Sequence, residues 1–305
     1  MRPPTRWAPD VARAPKVHPW ADVPDQGGRR FVVTGANTGV GLECARILAT
    51  RGAHVVLACR SREKGEAAAT GLEGSVEVRV LDVSDLSSVR AFADGCGAVD
   101  VLINNAGILG VPFGRSVDGV ELQFATNHLG HFALANLLLP RLTDRVVVVS
   151  SQSHRTGDLQ LDDLHWERRG YQPYAAYGAS KLANMLFLAE LQRRLTASAS
   201  TLRVTGAHPG TTASGITGNT GKGWATAIGS WGHELVGMAT SQGALPTLYA
   251  ATMDVPGNTY LGPHRLREMR GWPVGVGRSQ RAIDPDFAKA AWARSEELSG
   301  VTFPL

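Results

Sequence analysis

The sequence predicts a single doubly wound α/β domain, with helices covering both faces of a parallel sheet. Three observations carry that expectation. Short runs rich in Val, Ile and Leu alternate along the chain with longer segments of helical periodicity. The strand-like runs are apolar throughout rather than at every second residue, which marks burial on both faces. The first such run ends in a glycine-rich loop that opens directly into a helical segment.

Residues 1–28 carry Pro3, Pro4, Pro9, Pro15, Pro19 and Pro24, which regular helix or central strand does not tolerate. They read as an extended arm, and the domain proper is expected over 29–305. FVVTG at 31–35 is a buried strand, GLECARILATRG at 41–52 a helix ending on a glycine stop, and HVVLAC at 54–59 the next strand. A polar helix over 61–72, a strand at 76–83 and a capped helix over 84–94 follow. VDVLINNAG at 99–107 is a fourth strand running into a turn. A long helix is expected over about 118–140, then a strand at 145–151, a second long helix over about 173–196 and a strand at 202–210. A Gly/Thr-rich stretch to about 232 interrupts the alternation, helical segments follow near 233–252, and NTYLGP at 258–263 supplies the last strand. No internal repeat is visible.

Composition narrows the function classes. The chain has 305 residues, 43% apolar and 19% charged, long enough to fold without a disulfide or metal staple. Its net charge is +4, with no Lys/Arg run or aromatic-interleaved basic stripe, so nothing points to nucleic acid. Cys44, Cys59 and Cys96 form no CxxC pair and read as three reduced thiols, with no metal site. The N-terminus lacks the apolar core of a secretory signal. The longest apolar stretch, FALANLLL, falls far short of the ~20 residues a membrane span needs. A soluble, cytoplasmic protein without a membrane span is expected.

The loop Thr34-Gly35-Ala36-Asn37-Thr38-Gly39-Val40-Gly41 stands where a dinucleotide fingerprint would. Glycines there let backbone approach a pyrophosphate, and the following helix N-terminus offers free N–H groups and positive dipole. The spacing is Gly-xxx-Gly-x-Gly, and taken alone it also suits a packing turn. It does not stand alone. Leu81-Asp82-Val83, Asn104-Asn105-Ala106-Gly107, Tyr177-Gly178-Ala179-Ser180-Lys181 and Pro209-Gly210 follow in order. This series resembles the short-chain dehydrogenase/reductase family, a Rossmann-type fold, over about 30–265. LACR at 57–60, TNHLGHF at 126–132, YGASKLANMLF, HPG at 208–210 and the wide gap from Ser151 to Tyr177 look like its retinol-dehydrogenase-like branch.

Tyr177 and Lys181 are four apart at the start of a predicted helix and project from one face. A free phenol, with a pKa of about 10, is a poor acid at neutral pH, and a nearby ammonium favours phenolate. The resemblance implies that Tyr177 exchanges the proton while Lys181 holds the nicotinamide ribose and lowers the phenol pKa. Ser150 and Ser151 compete as the residue that hydrogen-bonds the substrate oxygen; the family's strand register favours Ser151, and Ser150 is the structural alternative. Asn127 matches the fourth catalytic member, which would perturb its helix so that a backbone carbonyl holds a relay water; the alternative is a capping or surface Asn.

For the cofactor, the resemblance implies contacts from Gly35, Asn37, Thr38, Gly39, Val40 and Gly41, and from Asp82 and Val83 near adenine. It adds Asn104, Ala106 and Gly107 near the adenosine ribose, Tyr177 and Lys181, Pro209 and Gly210, and Thr212 at the carboxamide. The second strand runs into Arg60 with no acid before Glu63, which favours the 2′-phosphate of NADP over the ribose hydroxyls of NAD. NADPH is expected as the preferred cofactor, with NAD possible. His128 and His131 read as packing residues, and the charges at 162–169 as a solvated loop. Trp224 and Trp231 either cover an apolar substrate as part of a lid near 211–240 or simply pack.

The sequence is therefore expected to encode an NADP(H)-dependent oxidoreductase acting on a lipophilic carbonyl or alcohol, the alternative being a non-catalytic dinucleotide-binding regulator on the same fold. An epimerase or dehydratase of the extended family would want a larger C-terminal domain than the ~95 residues after Pro209 allow. Apolar residues on several faces of the two long helices (Phe132, Leu134, Leu137, Leu138; Leu182, Met185, Leu186, Leu188) predict a homodimer or homotetramer.

Overall fold

The computed structural model describes residues 23–210 and 239–305. Eight strands form one sheet in the order β3-β2-β1-β4-β5-β6-β7-β8. The first seven are β1 (Arg30–Thr34), β2 (His54–Cys59), β3 (Ser75–Val80), β4 (Val99–Asn104), β5 (Leu142–Val149), β6 (Arg203–Ala207) and β7 (Tyr260–Arg265). All of their pairings are parallel. The order reverses between β1 and β4, the crevice where open α/β sheets hold their ligands.

Successive side chains of the central strands enter two different cores, which is why the runs are apolar without alternation. Phe31, Val33, Val55, Leu57, Val101 and Ile103 pack under α1 (Gly39–Thr50) and a later helix, α7 (Thr240–Thr252). Val32, Val56, Leu102, Val146 and Val204 face the other way. There they meet α3 (Leu86–Asp94), α5 (Gly130–Leu138) and α6 (Pro173–Ala197). A short polar helix, α2 (Arg62–Ala69), is capped by Ser61, whose hydroxyl accepts from Lys64 N.

Four differences from the sequence expectation have physical causes. The single helix expected over 118–140 is composite. It starts at Leu122 because the Glu121 carboxylate caps the Gln123 and Phe124 N–H groups. The segment α4 (Leu122–Phe124) passes into a π-helical turn over Ala125–Leu129 before α5 begins at Gly130. A last strand at 258–263 is followed by an unexpected one, β8 (Arg270–Gly275), which runs antiparallel to β7 and ends the purely parallel sheet. A C-terminal helix, α8 (Pro285–Ser299), was also unforeseen; Asp284 caps it and Gly300 stops it in the left-handed conformation. Residues 23–28, counted with the arm, already belong to the domain: Val23 is in the core and Gln26 N donates to Arg51 O.

Helix α8 covers part of the apolar surface on which an oligomer was expected. Trp292 stacks on Phe187 and meets Phe132 edge-on, with ring centroids 5.8 and 4.8 Å away. The Arg194 guanidinium covers its other side. Phe132, Leu134, Leu138, Leu182, Met185, Leu186 and Leu188 are all buried within this one chain. Leu137, expected with them, is partly exposed. Among the described residues, no helix is long and apolar enough to cross a membrane.

Candidate active site

The C-terminal ends of β1, β2, β3 and β4 open onto a cleft with about 250 Å³ of space. Gly35, Asn37, Thr38, Gly39, Val40 and Gly41 form one wall, with Arg60, Asp82, Val83, Ala106 and Gly107 around it. Gly35 has φ +67, and a Cβ on Gly41 would sit 2.6 Å from Gly35 O. Only glycine lets the turn close on itself this way. Thr38 caps α1 through its backbone alone, and the first turn of α1 carries no acidic residue. The N–H groups at this helix start therefore face the cleft with their positive dipole uncompensated. Arg60 is exposed at the rim and makes no ion pair among the described residues. A glycine cradle, a bare helix start and a spare guanidinium suit a phosphorylated dinucleotide.

Asn104 is placed differently from the expectation. It shares a strand face with Leu102, so its side chain turns away from the cleft and donates weakly to His131 O. Asn105 lines the cleft instead, and its Nδ2 donates to Thr34 O. Strand parity within the Asn104-Asn105 pair carried this signal. Cys59, Leu81, Ile108 and Thr126 complete the lining; the first two and Thr126 lie within the quoted motifs, and Ile108 had no signal of its own. Asp82 Oδ1 accepts from both the amide and the hydroxyl of Ser84, which fixes the carboxylate at the cleft edge.

Four polar side chains gather beyond β4 and β5. Tyr177 is half-buried near the start of α6, with Ser151 beside its phenol. Burial pushes the phenol pKa above its ordinary value, and the neighbouring Ser151 hydroxyl opposes that push. Lys181 lies one turn on, its Nζ 5.6 Å from the Tyr177 ring centre and donating to Val149 O at 3.2 Å. Burial lowers its pKa to about 8. The expected lowering of the phenol by the ammonium is thus absent here: the lysine serves the β5 carbonyl, and desolvation dominates the tyrosine.

Ser150 and Ser151 separate by their partners. Ser150 is buried and its hydroxyl donates to Lys181 O at 2.9 Å, tying β5 to α6. Ser151 Oγ accepts from Ser153 N at 3.2 Å and donates to Ser153 Oγ at 3.3 Å, at the start of the turn over Gln152–Arg155. Asn127 occupies the π-helical turn with no exposed surface. Its Oδ1 accepts from Ile108 N at 2.8 Å, and its Nδ2 donates to Ile108 O and to Ser180 Oγ. Ser180 Oγ in turn donates to Tyr177 O. Gly107 makes this packing possible, since a Cβ there would lie 3.2 Å from Asn127 Oδ1 and 3.6 Å from Lys181 Nζ.

Pro209 and Gly210 follow β6 on the far side of the same sheet edge. Thr212, Trp224, Trp231 and the lid expected near 211–240 lie outside the described residues, apart from its last two positions. His128 and His131 are buried among hydrogen-bond partners, as packing residues. The charged loop is less solvated than expected: buried Asp163 accepts from Glu167 N and Arg168 N and pairs with Arg169. Among the described residues no group of three or more metal-ligating side chains gathers.

The sequence profile of the family described as short chain dehydrogenase matches residues 29–224. Retinol dehydrogenase 13 of Homo sapiens is 39% identical over 300 residues, spanning 91% of this chain and 86% of that protein. Retinol dehydrogenase 12 of Mus musculus is 46% identical over 205 residues, 63% of this chain and 64% of that protein, so the match spans a little under two thirds of that relative. A solved structure from Mycobacterium paratuberculosis, described as an uncharacterized protein, is 52% identical with a TM-score of 0.82 and covers 94% of this chain and 98% of its own.

Proposed function

This chain belongs to the short chain dehydrogenase family, and on that premise we propose that it is an NADP(H)-dependent oxidoreductase moving a hydride between nicotinamide and the carbonyl or alcohol carbon of a lipophilic substrate. What supports the reading most directly is Lys181 one turn along the helix from Tyr177, its Nζ 5.6 Å from the phenol ring centre, with Ser151 beside that phenol. The non-catalytic alternative has no use for that pairing.

When bound, the dinucleotide supplies the hydride; every other duty falls to the chain. The glycine loop and the start of α1 hold the phosphates, Arg60 takes the 2′-phosphate, and Pro209 and Gly210 flank the nicotinamide end. Ser151 Oγ orients the substrate oxygen. Tyr177 Oη passes its proton to that oxygen in reduction and takes it back in oxidation. Lys181 Nζ would hold the nicotinamide ribose. The Asn127 backbone carbonyl anchors a water that replenishes the proton. Apolar substrates are favoured by the likeness to retinol dehydrogenases.

The test is a turnover panel of apolar aldehydes, ketones and alcohols, retinaldehyde included, run beside small polar carbonyls with NADPH and with NADH. Turnover of apolar carbonyls with NADPH is expected. Binding of NADPH without turnover of any panel member would overturn the enzymatic reading in favour of a dinucleotide-binding regulator.

A further inference from the structure

The histidine of the HPG motif has no duty in the chemistry above, yet it is 1% exposed at the end of β6. Gly210 N donates to His208 Nδ1 at 3.3 Å, so Nδ1 carries no proton. The ring proton is therefore on Nε2, which donates to Glu268 Oε2 at 3.2 Å. Glu268 comes from the turn joining β7 to β8. Its two carboxylate oxygens also receive Arg155 Nη2 at 2.8 and 3.0 Å, from the turn that follows Ser151. Beside it, Gln152 Nε2 donates to Arg267 O at 2.7 Å.

One hairpin turn thus grips both walls of the nicotinamide end: Ser151 and its neighbours on one side, Pro209 and Gly210 on the other. The turn is held in a costly shape. Leu266, Arg267 and Glu268 have φ of +48, +53 and +65, a left-handed run that side chains with a Cβ resist. Such a run persists where its surroundings over-determine it, and these bonds do so. Gly210 itself, at φ +70, approaches so closely that a Cβ would lie 2.5 Å from Met269 O.

We propose that Glu268, acting through His208, is a positioning residue that fixes the Pro209–Gly210 turn for the nicotinamide half of the dinucleotide, and that the 266–268 turn is the clasp setting the distance between that turn and Ser151. The proposal rests on the cofactor reading above. It makes a statement that a general stabilising role does not: the adenosine half of the ligand, bound at the glycine loop and Arg60, is indifferent to Glu268.

The experiment compares NADPH with 2′,5′-ADP, which carries only the adenosine half, by titration against the wild type, Glu268→Ala and Glu268→Gln. Losing a hydrogen bond to a charged group should weaken NADPH binding about tenfold in Glu268→Ala, with 2′,5′-ADP unchanged. Glu268→Gln, which keeps an acceptor for His208 Nε2, should recover most of the loss, and the KM for NADPH should rise more than kcat falls. Unchanged NADPH affinity in Glu268→Ala, or equal losses for both ligands, would overturn the proposal. A wild type that binds neither ligand would instead overturn the cofactor reading, and the clasp with it.

Discussion

His131 Nδ1 donates a hydrogen bond to Asn127 O at 3.2 Å, and its tautomer follows from its other partner. Thr34 Oγ1 accepts from Asn105 N and Ala106 N at 2.9 Å each, so its own proton goes to His131 Nε2, 2.8 Å away. One neutral imidazole therefore links the π-helical turn at Asn127 to the turn after β4 and to the strand that feeds the glycine loop. Sequence reading had it as packing. It packs, but against two polar groups that no apolar residue could satisfy.

His131→Leu should leave the Thr34 hydroxyl and the Asn127 carbonyl without this buried partner and destabilise the fold by about 2–4 kcal/mol. Burial holds the His131 pKa at about 3, against 6.5 for the free side chain. The unfolded chain therefore takes up the proton first, and this residue's share of stability is lost as pH falls from about 6.5 toward 3. Urea midpoints measured between neutral and mildly acidic pH should drop less steeply in the leucine variant; parallel slopes would remove His131 from the acid response.

Tyr177→Phe should lower turnover by about 10²–10⁴ while dinucleotide affinity stays nearly unchanged, because the hydroxyl contributes a proton and few cofactor contacts. Lys181→Ala should damage both. Steady-state kinetics with fluorescence titration separates the two, and a phenylalanine variant keeping more than a tenth of wild-type activity would refute the proton-donor role.

Lys181 also sets a pH limit. Its pKa in the free protein is lowered to about 8 by burial, so the ammonium is present below that pH and neutralises above it. Dinucleotide affinity should be flat at neutral pH and fall as pH rises through about 8, with Lys181→Met losing the transition. Titrations at intervals across that range check this; an identical pH profile in the methionine variant would assign the limb to another group.

Arg60 is expected to decide cofactor choice. NADPH should be used in preference to NADH, and Arg60→Ala should lose mainly the phosphorylated cofactor, since its guanidinium can grip a phosphate with two parallel bonds. Comparing kcat/KM for both cofactors in wild type and variant measures it. Equal use of the two by the wild type would end the claim for Arg60 and leave the catalytic assignment standing.

Reading the chain alone was sufficient wherever the determinant is local. Continuous apolar runs betray strands buried on both faces, glycines betray a turn in which backbone must approach backbone, and a Tyr-xxx-Lys spacing betrays a shared helix face. The parallel core of the sheet, the glycine cleft and the Tyr177–Lys181 pair were legible on those grounds, whereas Ser151 was picked out by family resemblance. Tertiary structure decided what depends on residues distant in sequence. Which asparagine of the Asn104-Asn105 pair faces the cleft was settled by where β4 ends against its neighbours. That Trp292 of a C-terminal helix packs on Phe132 of α5 and Phe187 of α6 was decided by a contact more than a hundred residues away in sequence. Glu268 reaches His208 only because β8 turns back antiparallel along β7, and no local propensity encodes a contact between a hairpin turn and a strand end sixty residues earlier. Propensity and periodicity act within a few residues, whereas the pairing of buried polar groups is fixed only once the whole chain has excluded water from them.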